Sequence, residues 1–426
     1  MRQRTARRIA LGVLARMRCG QLTVVEGSRR LLIGRGSPQA VVEVRSPRLW
    51  PLLLHGSRGF AEAYSERLWD SPELTAVVRL AARNVSALDR WRRRLAPLRV
   101  PLQVLRGLRM RNTRGRSRRA IAAHYDLGNE LFELMLDETM MYSSAYFARA
   151  EMTLAEAQAA KLELICDELA LGPEDHVLEI GTGWGGFALH AARTRGCRVT
   201  TTTISREQYE YARACARAAG LEDRVTVLCE DYRDLRGRYE KLVSIEMIEA
   251  VGWRDLGTFF ARCSQLLDDH GTMLLQSIVI DDRAYHVEKA SQSFIRTYVF
   301  PDGCLPSLEV IARCLARRTD MRSVGLRDLT PHYAETLRRW RANFERAMGL
   351  ERLGYDERFR RLWRLYLAYC EAGFEERRIG AVQLTLAKPR WRGRGGLASA
   401  QLPASAVTAC ARRHAQHARV QAGRNG

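Results

Sequence analysis

Between residues 176 and 280 short apolar runs alternate with amphipathic stretches, and the two periods differ. The apolar runs predict strands over 176–180, 198–204, 224–229, 241–246 and 271–280. The stretches between them repeat apolar residues every three to four positions and predict helices over 187–195, 205–219 and 253–268. Strand–helix alternation of this kind implies an α/β doubly wound sheet. Residues 284–300 break the alternation with a helical insert that ends in Phe300-Pro301-Asp302-Gly303. Helices over 331–348 and 355–374 then lead to a last strand at Ala381 to Ala387.

Upstream the pattern changes. Leu22 to Val25, Leu31 to Ile33 and Val41 to Val44 are strand-like, while Gly59 to Tyr64 and Leu74 to Asn84 have helical spacing. This predicts a small α+β unit over 1–105. Helices are predicted from Ala120 to Leu136 and from Thr153 to Leu169, the second with Thr153 and Glu156 placed as a capping box. After Pro389 the chain turns Gly-, Ala- and Arg-rich, and 391–426 is expected to be a disordered tail. His414 and His417 in that tail are assigned no role.

Charge sharpens the division. Residues 1–119 hold 27 Lys and Arg against 7 Asp and Glu, so one segment carries nearly all of the net +21. Arg106 to Arg119 contributes seven arginines and no acid, with Gly107, Gly115 and Ser117, and reads as a basic linker over 106–119. A basic block of this size seeks an anionic membrane face or a nucleic acid. A solvated arginine-rich surface is the plain alternative. No apolar run approaches the ~20 residues that span a bilayer; Leu49 to Leu54 comes nearest. Arg16 and Arg18 interrupt any signal-like stretch at the start, so a cytoplasmic protein is expected. The ten cysteines show no Cys-x-x-Cys pair and no histidine at metal spacing, which argues for reduced thiols and no metal.

The candidate chemistry lies at Val177-Leu178-Glu179-Ile180-Gly181-Thr182-Gly183-Trp184-Gly185-Gly186. Strand, glycine turn and helix let backbone approach a nucleotide closely. The spacing is Glu-x-Gly-x-Gly, not the Gly-x-Gly-x-x-Gly of a dinucleotide site. It suits S-adenosylmethionine, which has no pyrophosphate but carries an ammonium, a sulfonium and a ribose. A strand–turn–helix without ligand is the plain alternative. Glu246-Met247-Ile248-Glu249 follows the fourth strand where methyltransferases of bases carry Asn/Asp-Pro-Pro-Tyr/Phe, so nucleic acid is not the expected partner.

Joined to its neighbours, this motif resembles the cyclopropane fatty acid synthases and mycolic acid methyltransferases. The matching stretches are His124 to Asn129, Met141 to Phe147, Val177 to Gly186, Thr203 to Gln208, Asp231 to Leu235, Met247 to Gly252 and Tyr298 to Ser307, across roughly 120–390. Gly59 to Asn84 resembles the lipid-associated N-terminal domain of longer members. The resemblance implies a Rossmann-like class I methyltransferase domain over 120–390. It implies methyl transfer from S-adenosylmethionine to the cis double bond of an unsaturated acyl chain in a membrane phospholipid.

The resemblance places cofactor contacts on Tyr142, Ser143, Glu179, Gly181, Gly183, Trp184, Gly185, Thr203, Ser205, Gln208, Asp231 and Tyr232. Attack by the olefin leaves a carbocation, which aromatic faces stabilise; Tyr142, Tyr146, Phe147, Phe294, Tyr298 and Phe300 are candidates, with core packing as the alternative for each. The family's base is implied to be a bound bicarbonate. Glu249, Tyr333 and the backbone of Ile278 match its ligands, while Ser144 and Gln276 replace a cysteine and a histidine. Glu249 is expected to orient the anion, and Glu246 to matter much less. Cys370 matches a cysteine once considered catalytic, but the chemistry needs no nucleophile and packing is favoured. Loss of the proton from the transferred methyl closes a cyclopropane; loss from the chain leaves an unsaturated methyl or methylene branch. A nucleic-acid methyltransferase and a non-catalytic lipid-binding homologue stay open beside this, as does a homodimer. The expected location is cytoplasmic, peripheral to an anionic membrane.

Overall fold

The computed structural model describes residues 3–85, 128–289, 293–301, 303–347 and 353–393. The basic linker at 106–119, the start of the helix expected from Ala120, the stretch His124 to Leu127, Asp302 and the tail beyond 393 lie outside the described residues.

The unit Met1–Pro389 holds two sheets. The smaller follows α1 (Gln3–Leu14) and is built from β1 (Gly20–Glu26), β2 (Arg29–Arg35), β3 (Gln39–Val44) and β4 (Trp69–Asp70), in the order β2-β1-β3-β4. The β1–β2 hairpin turns at Gly27, whose φ of +60° is accessible to glycine at no steric cost. Between β3 and β4 run α2 (Leu49–Leu53) and α3 (Gly56–Ser65), and α4 covers residues 74–85. All three expected strands of this part are present.

Next come α5 (Asn129–Met135) and α6 (Leu154–Leu169). The capping box of α6 forms as expected: Thr153 Oγ1 accepts the Glu156 amide at 3.2 Å, and Glu156 Oε2 accepts the Thr153 amide at 2.7 Å. The large sheet comprises β5 (His176–Ile180), β6 (Arg198–Thr202), β7 (Val225–Leu228), β8 (Tyr239–Ile245), β9 (Leu267–Ile280), β10 (Arg322–Asp328) and β11 (Ile379–Ala387). Their order is β10-β11-β9-β8-β5-β6-β7, parallel from β7 through to β9, with β11 antiparallel to β9 and β10 antiparallel to β11. Helices α7 (Gly186–Arg195), α8 (Arg206–Ala218) and α9 (Leu256–Leu266) connect the parallel strands. The inserted helices are α10 (Asp282–Lys289), α11 (Phe294–Tyr298) and α12 (Leu308–Arg318). Finally α13 (Thr330–Arg346) and α14 (Glu357–Glu375) pack as a pair before β11.

Strand β10 and helix α12 were not expected. β10 is an edge strand whose Val324 and Leu326 face outward, 45% and 57% exposed, so it lacks the inward apolar face that identifies a strand in sequence. Strand β9 starts at Leu267, pairing with Tyr239, so α9 stops short of the expected 268.

Helix α14 joins the two sheets. Arg361 is buried, and its guanidinium donates to the carbonyls of Tyr64 (2.7 Å) and Trp69 (3.1 Å) and to Asp70 (3.3 Å) while lying over the Tyr64 ring. A buried charge is tolerated only when its donors are satisfied in this way. Trp50, Tyr64 and Trp69 of the N-terminal part share one apolar core with Phe132, Tyr333, Trp340, Trp363 and Tyr366.

Candidate active site

The strand order reverses between β5 and β8, and a crevice at the carboxyl ends of such strands is where doubly wound sheets take ligands. Two segments meet there: the glycine turn after β5 and the acidic segment after β8. A Cβ added at Gly181 would stand 3.0 Å from the Met247 side chain, so glycine is what lets the two strand ends close up. Gly181, Gly183 and Gly185 all have positive φ (+104°, +52°, +94°). At Gly183 an added Cβ would meet nothing within 4 Å, so the turn presents bare backbone to open space.

Glu179 is buried beneath this turn. Thr201 of β6 donates to its Oε2 at 2.6 Å and lies 2.7 Å from the Thr182 hydroxyl, and burial pushes the Glu179 carboxyl up to about 8. The carboxyl therefore braces the turn through its neighbours. The Trp184 side chain points into the core, donating to Asn129 at 2.8 Å and packing on Phe132, which leaves its backbone to the turn.

A second group forms after β6. Ser205 caps α8 by accepting the Gln208 amide, and the Thr203 hydroxyl donates to Gln208 Oε1 at 2.8 Å. The three polar residues expected to contact the cofactor are thus interlocked. Asp231, after β7, is clasped by Arg233 through both carboxylate oxygens at 2.8 and 2.6 Å, while Tyr232 stands edge-on to Phe259. The Arg233 backbone amide donates to Asp231 Oδ1 as well, at 3.0 Å, so the carboxylate is fixed in place by main chain and side chain together.

Residues 142–144 cross the same crevice, held by α6. Gln158 donates to the carbonyls of Met141 (3.2 Å) and Ser143 (2.9 Å), and Lys161 donates to the Ser143 hydroxyl at 3.0 Å. Lys161 is wholly buried; desolvation lowers its ammonium to about 8, opposed by the charges of Glu246, Asp137 and Glu179. Tyr142 stacks on Trp340 with centroids 5.2 Å apart, and its hydroxyl lies 2.7 Å from that of Tyr366.

The acids after β8 divide the polar groups differently from the expectation. Glu246 Oε1 accepts the Ser144 amide at 2.9 Å and Gln276 Nε2 at 2.8 Å, and Oε2 accepts the Tyr333 hydroxyl at 2.5 Å. Gln383 of β11 donates to the Gln276 carbonyl at 3.0 Å, which turns the Gln276 amino group toward Glu246. Glu249 Oε1 accepts the Ser277 hydroxyl and the Ile278 amide, whereas its Oε2 is buried without a hydrogen-bond partner. Burial raises the Glu249 carboxyl to about 8, helped by the neighbouring charge of Glu246. Burial also raises Glu246, but its three donors favour the ionised form and oppose the rise. Tyr333 is pushed well above its ordinary value by burial and by the Glu246 charge, so it stays a donor.

These contacts correct the expected anion site. Ser144, Gln276 and Tyr333, assigned to bicarbonate beside Glu249, instead surround the carboxylate of Glu246. The donors that would hold bicarbonate are already engaged, so the group does not fit this arrangement. Glu246, expected to matter much less than Glu249, collects these donors, and the buried Lys161 was not anticipated. The signal for Glu246 was present as an acid one residue past a strand and three before Glu249; for Lys161 none was, since a lysine on an amphipathic helix reads as exposed. Cys370 packs against the core and burial pushes its thiol up to about 12, which keeps it from serving as a thiolate.

Comparison with known proteins finds a family that shares this fold. A family model described as mycolic acid cyclopropane synthetase matches residues 112–384. A tuberculostearic acid methyltransferase of Mycobacterium tuberculosis is 40% identical over 84% of this chain and 87% of its own. A cyclopropane-fatty-acyl-phospholipid synthase of Escherichia coli is 34% identical over 85% and 91%. Among solved structures, a cyclopropane synthase from Mycobacterium tuberculosis superposes with a TM-score of 0.60 at 30% identity, covering 64% of this chain and 98% of that one. A mycolic acid cyclopropane synthase complexed with SAH and CTAB gives 0.59, also at 30% identity, with the same coverage.

Proposed function

Because the chain belongs to the mycolic acid cyclopropane synthetase family, we propose that it transfers a methyl group from S-adenosylmethionine to the cis double bond of an unsaturated acyl chain in a membrane phospholipid, with a cyclopropane as product. The observation that supports this best is the meeting of the open glycine turn after β5 with a desolvated carboxylate after β8. Bound S-adenosylmethionine supplies an electrophilic methyl on sulfur. Gly181, Gly183 and Gly185 would admit it against bare backbone, with Glu179 and Thr201 holding the turn from beneath. Tyr142 and Ser143, Thr203, Ser205 and Gln208, and Asp231 with Tyr232 would hold its polar ends and its ring system. The interlocked hydrogen bonds of these residues keep them in place before the ligand arrives, which spares ordering entropy on binding. The stacked and edge-on rings of Tyr142, Trp340, Tyr333 and Phe374 line an apolar wall on which a cation developing on the acyl chain would be stabilised.

The N-terminal part would serve as the membrane contact. On β2, Arg29, Arg30, Leu31, Leu32 and Arg35 are all exposed, and on α1 Ile9 and Val13 are exposed one turn apart. Basic and apolar side chains side by side suit an anionic bilayer surface, at about 1 kcal/mol per arginine. No helix among the described residues is long and apolar enough to cross a membrane.

A second reading, an unsaturated methyl or methylene branch in place of the ring, is favoured by the similarity to a tuberculostearic acid methyltransferase. Mass spectrometry of phospholipid acyl chains from cells expressing the protein tests both. One added CH2 unit is expected, and catalytic hydrogenation separates a ring, which resists mild reduction, from an unsaturated branch. Acyl chains of unchanged mass would refute the proposal.

A further inference from the structure

The convergence of three donors on one side chain calls for a chemical explanation. Glu246 sits at φ +51°, a left-handed backbone conformation that costs a residue with a Cβ roughly 1–2 kcal/mol. That conformation turns its side chain across the crevice to the Ser144 amide, the Gln276 amino group and the Tyr333 hydroxyl. These donors come from a loop, a central strand and α13, and none is needed to complete the secondary structure around them. Strain and convergence of this kind mark a site arranged for a task.

We propose that the Glu246 carboxylate is the internal base of this enzyme, standing where a bound bicarbonate was expected. The proposal rests on the methyl-transfer reading above. A carboxylate and a bicarbonate present the same planar pair of oxygens and the same single charge, so the donors that suit one suit the other. Ser144 contributes its backbone amide and Gln276 a neutral amide. Neither changes protonation with pH, so both donate to the carboxylate at any pH and favour its charged form against the burial that raises it. Oε1 accepts two hydrogen bonds and Oε2 one, which leaves a lone pair on Oε2 beside Tyr333.

The step balances without any further reactant. The olefin π pair forms the new C–C bond as the S–CH3 bond breaks, its electrons passing to sulfur, and the positive charge moves to the neighbouring chain carbon. Glu246 Oε2 then takes one proton. The released C–H pair either closes the three-membered ring, when the proton leaves the transferred methyl, or forms a C=C bond, when it leaves the chain. Glu246 ends as a neutral carboxylic acid and returns to its starting state by losing that proton to water.

The test uses full-length protein with dioleoyl phosphatidylglycerol vesicles and S-adenosylmethionine, with and without removal of dissolved carbon dioxide and bicarbonate. Wild-type turnover should be the same in both conditions. Glu246→Gln keeps the shape and should lose about a hundredfold or more, the scale of a positioned acid–base group, with S-adenosylhomocysteine affinity retained in calorimetric titration. Glu246→Gly relieves the backbone strain and empties the donor set; its turnover should be low and should recover at least about tenfold on adding bicarbonate. A readout independent of turnover is line broadening of carbon-13 bicarbonate in NMR, expected with Glu246→Gly and absent with wild type. An active wild type whose rate follows bicarbonate, or which broadens the bicarbonate signal, overturns the internal base and leaves the methyl-transfer reading standing. Undiminished turnover in Glu246→Gln overturns it as well. A wild type that binds S-adenosylhomocysteine yet converts no unsaturated phospholipid refutes the underlying function instead, and the base with it.

Discussion

The Tyr333 hydroxyl donates to Oε2 of Glu246 at 2.5 Å, joining α13 to the end of β8 across 87 positions of chain. The bond steadies the ionised acid in a desolvated place. Removing it should therefore be felt in the pH dependence more than in the fold. Tyr333→Phe keeps the ring stacked on Phe374 but withdraws a donor from the charged form, so the Glu246 carboxyl should rise further. The acidic limb of the pH–rate profile should then move to higher pH, with turnover at neutral pH down by roughly ten- to a hundredfold, as loss of about 1.5–3 kcal/mol of charge-assisted hydrogen bonding implies. An unmoved limb would separate Tyr333 from the base.

Glu249 makes the opposite case. Its carboxyl is raised from near 4.5 to about 8, so the folded protein holds a proton there that the unfolded chain has lost above pH 4.5. Its contribution to stability is complete below that pH and disappears as pH rises through about 8. Glu249→Gln removes the titration while its amide oxygen still accepts from Ser277 and Ile278. Thermal melts should show the variant gaining on wild type from pH 5 to pH 8.5; a constant difference in Tm would show that Glu249 does not titrate in this window.

Gly183→Val is expected to abolish S-adenosylhomocysteine binding without unfolding the protein. The added side chain meets no protein atom near its Cβ, so its cost to folding is the left-handed backbone alone, about 1–2 kcal/mol. It would fill the space in front of the turn. Calorimetric titration alongside far-UV circular dichroism checks both halves, and unchanged affinity would remove the turn from the cofactor site.

Membrane attachment is better tested by substitution than by deletion, because Arg361 ties α14 to Tyr64, Trp69 and Asp70. Leu31→Glu with Leu32→Glu, at positions 40% and 61% exposed, should weaken sedimentation with anionic vesicles while leaving cofactor affinity intact. Wild-type protein should bind at low salt and release as salt rises, since screening shortens the reach of its arginines. Equal sedimentation of the double variant would move the contact elsewhere.

Most of the fold could be read from local pattern. The alternation from His176 to Ile280, the capping box of α6 and the glycine turn each declare themselves within a few residues, because period and cap chemistry are properties of neighbouring positions. Edge strand β10 escaped because its outward Val324 and Leu326 carry no inward apolar face. The sequence by itself determined that Gly181 to Gly186 would form an open turn after a strand, and that Glu246 and Glu249 would follow another. Which of the two acids collects the donors was decided only by tertiary structure. Ser144, Gln276 and Tyr333 lie 102, 30 and 87 positions from Glu246, and no local rule brings them together. Their meeting depends on the pairing of β8 with β9, which sets Ile245 opposite Gln276, on α13 packing over the strand ends, and on a left-handed backbone at Glu246 that turns its carboxylate to them.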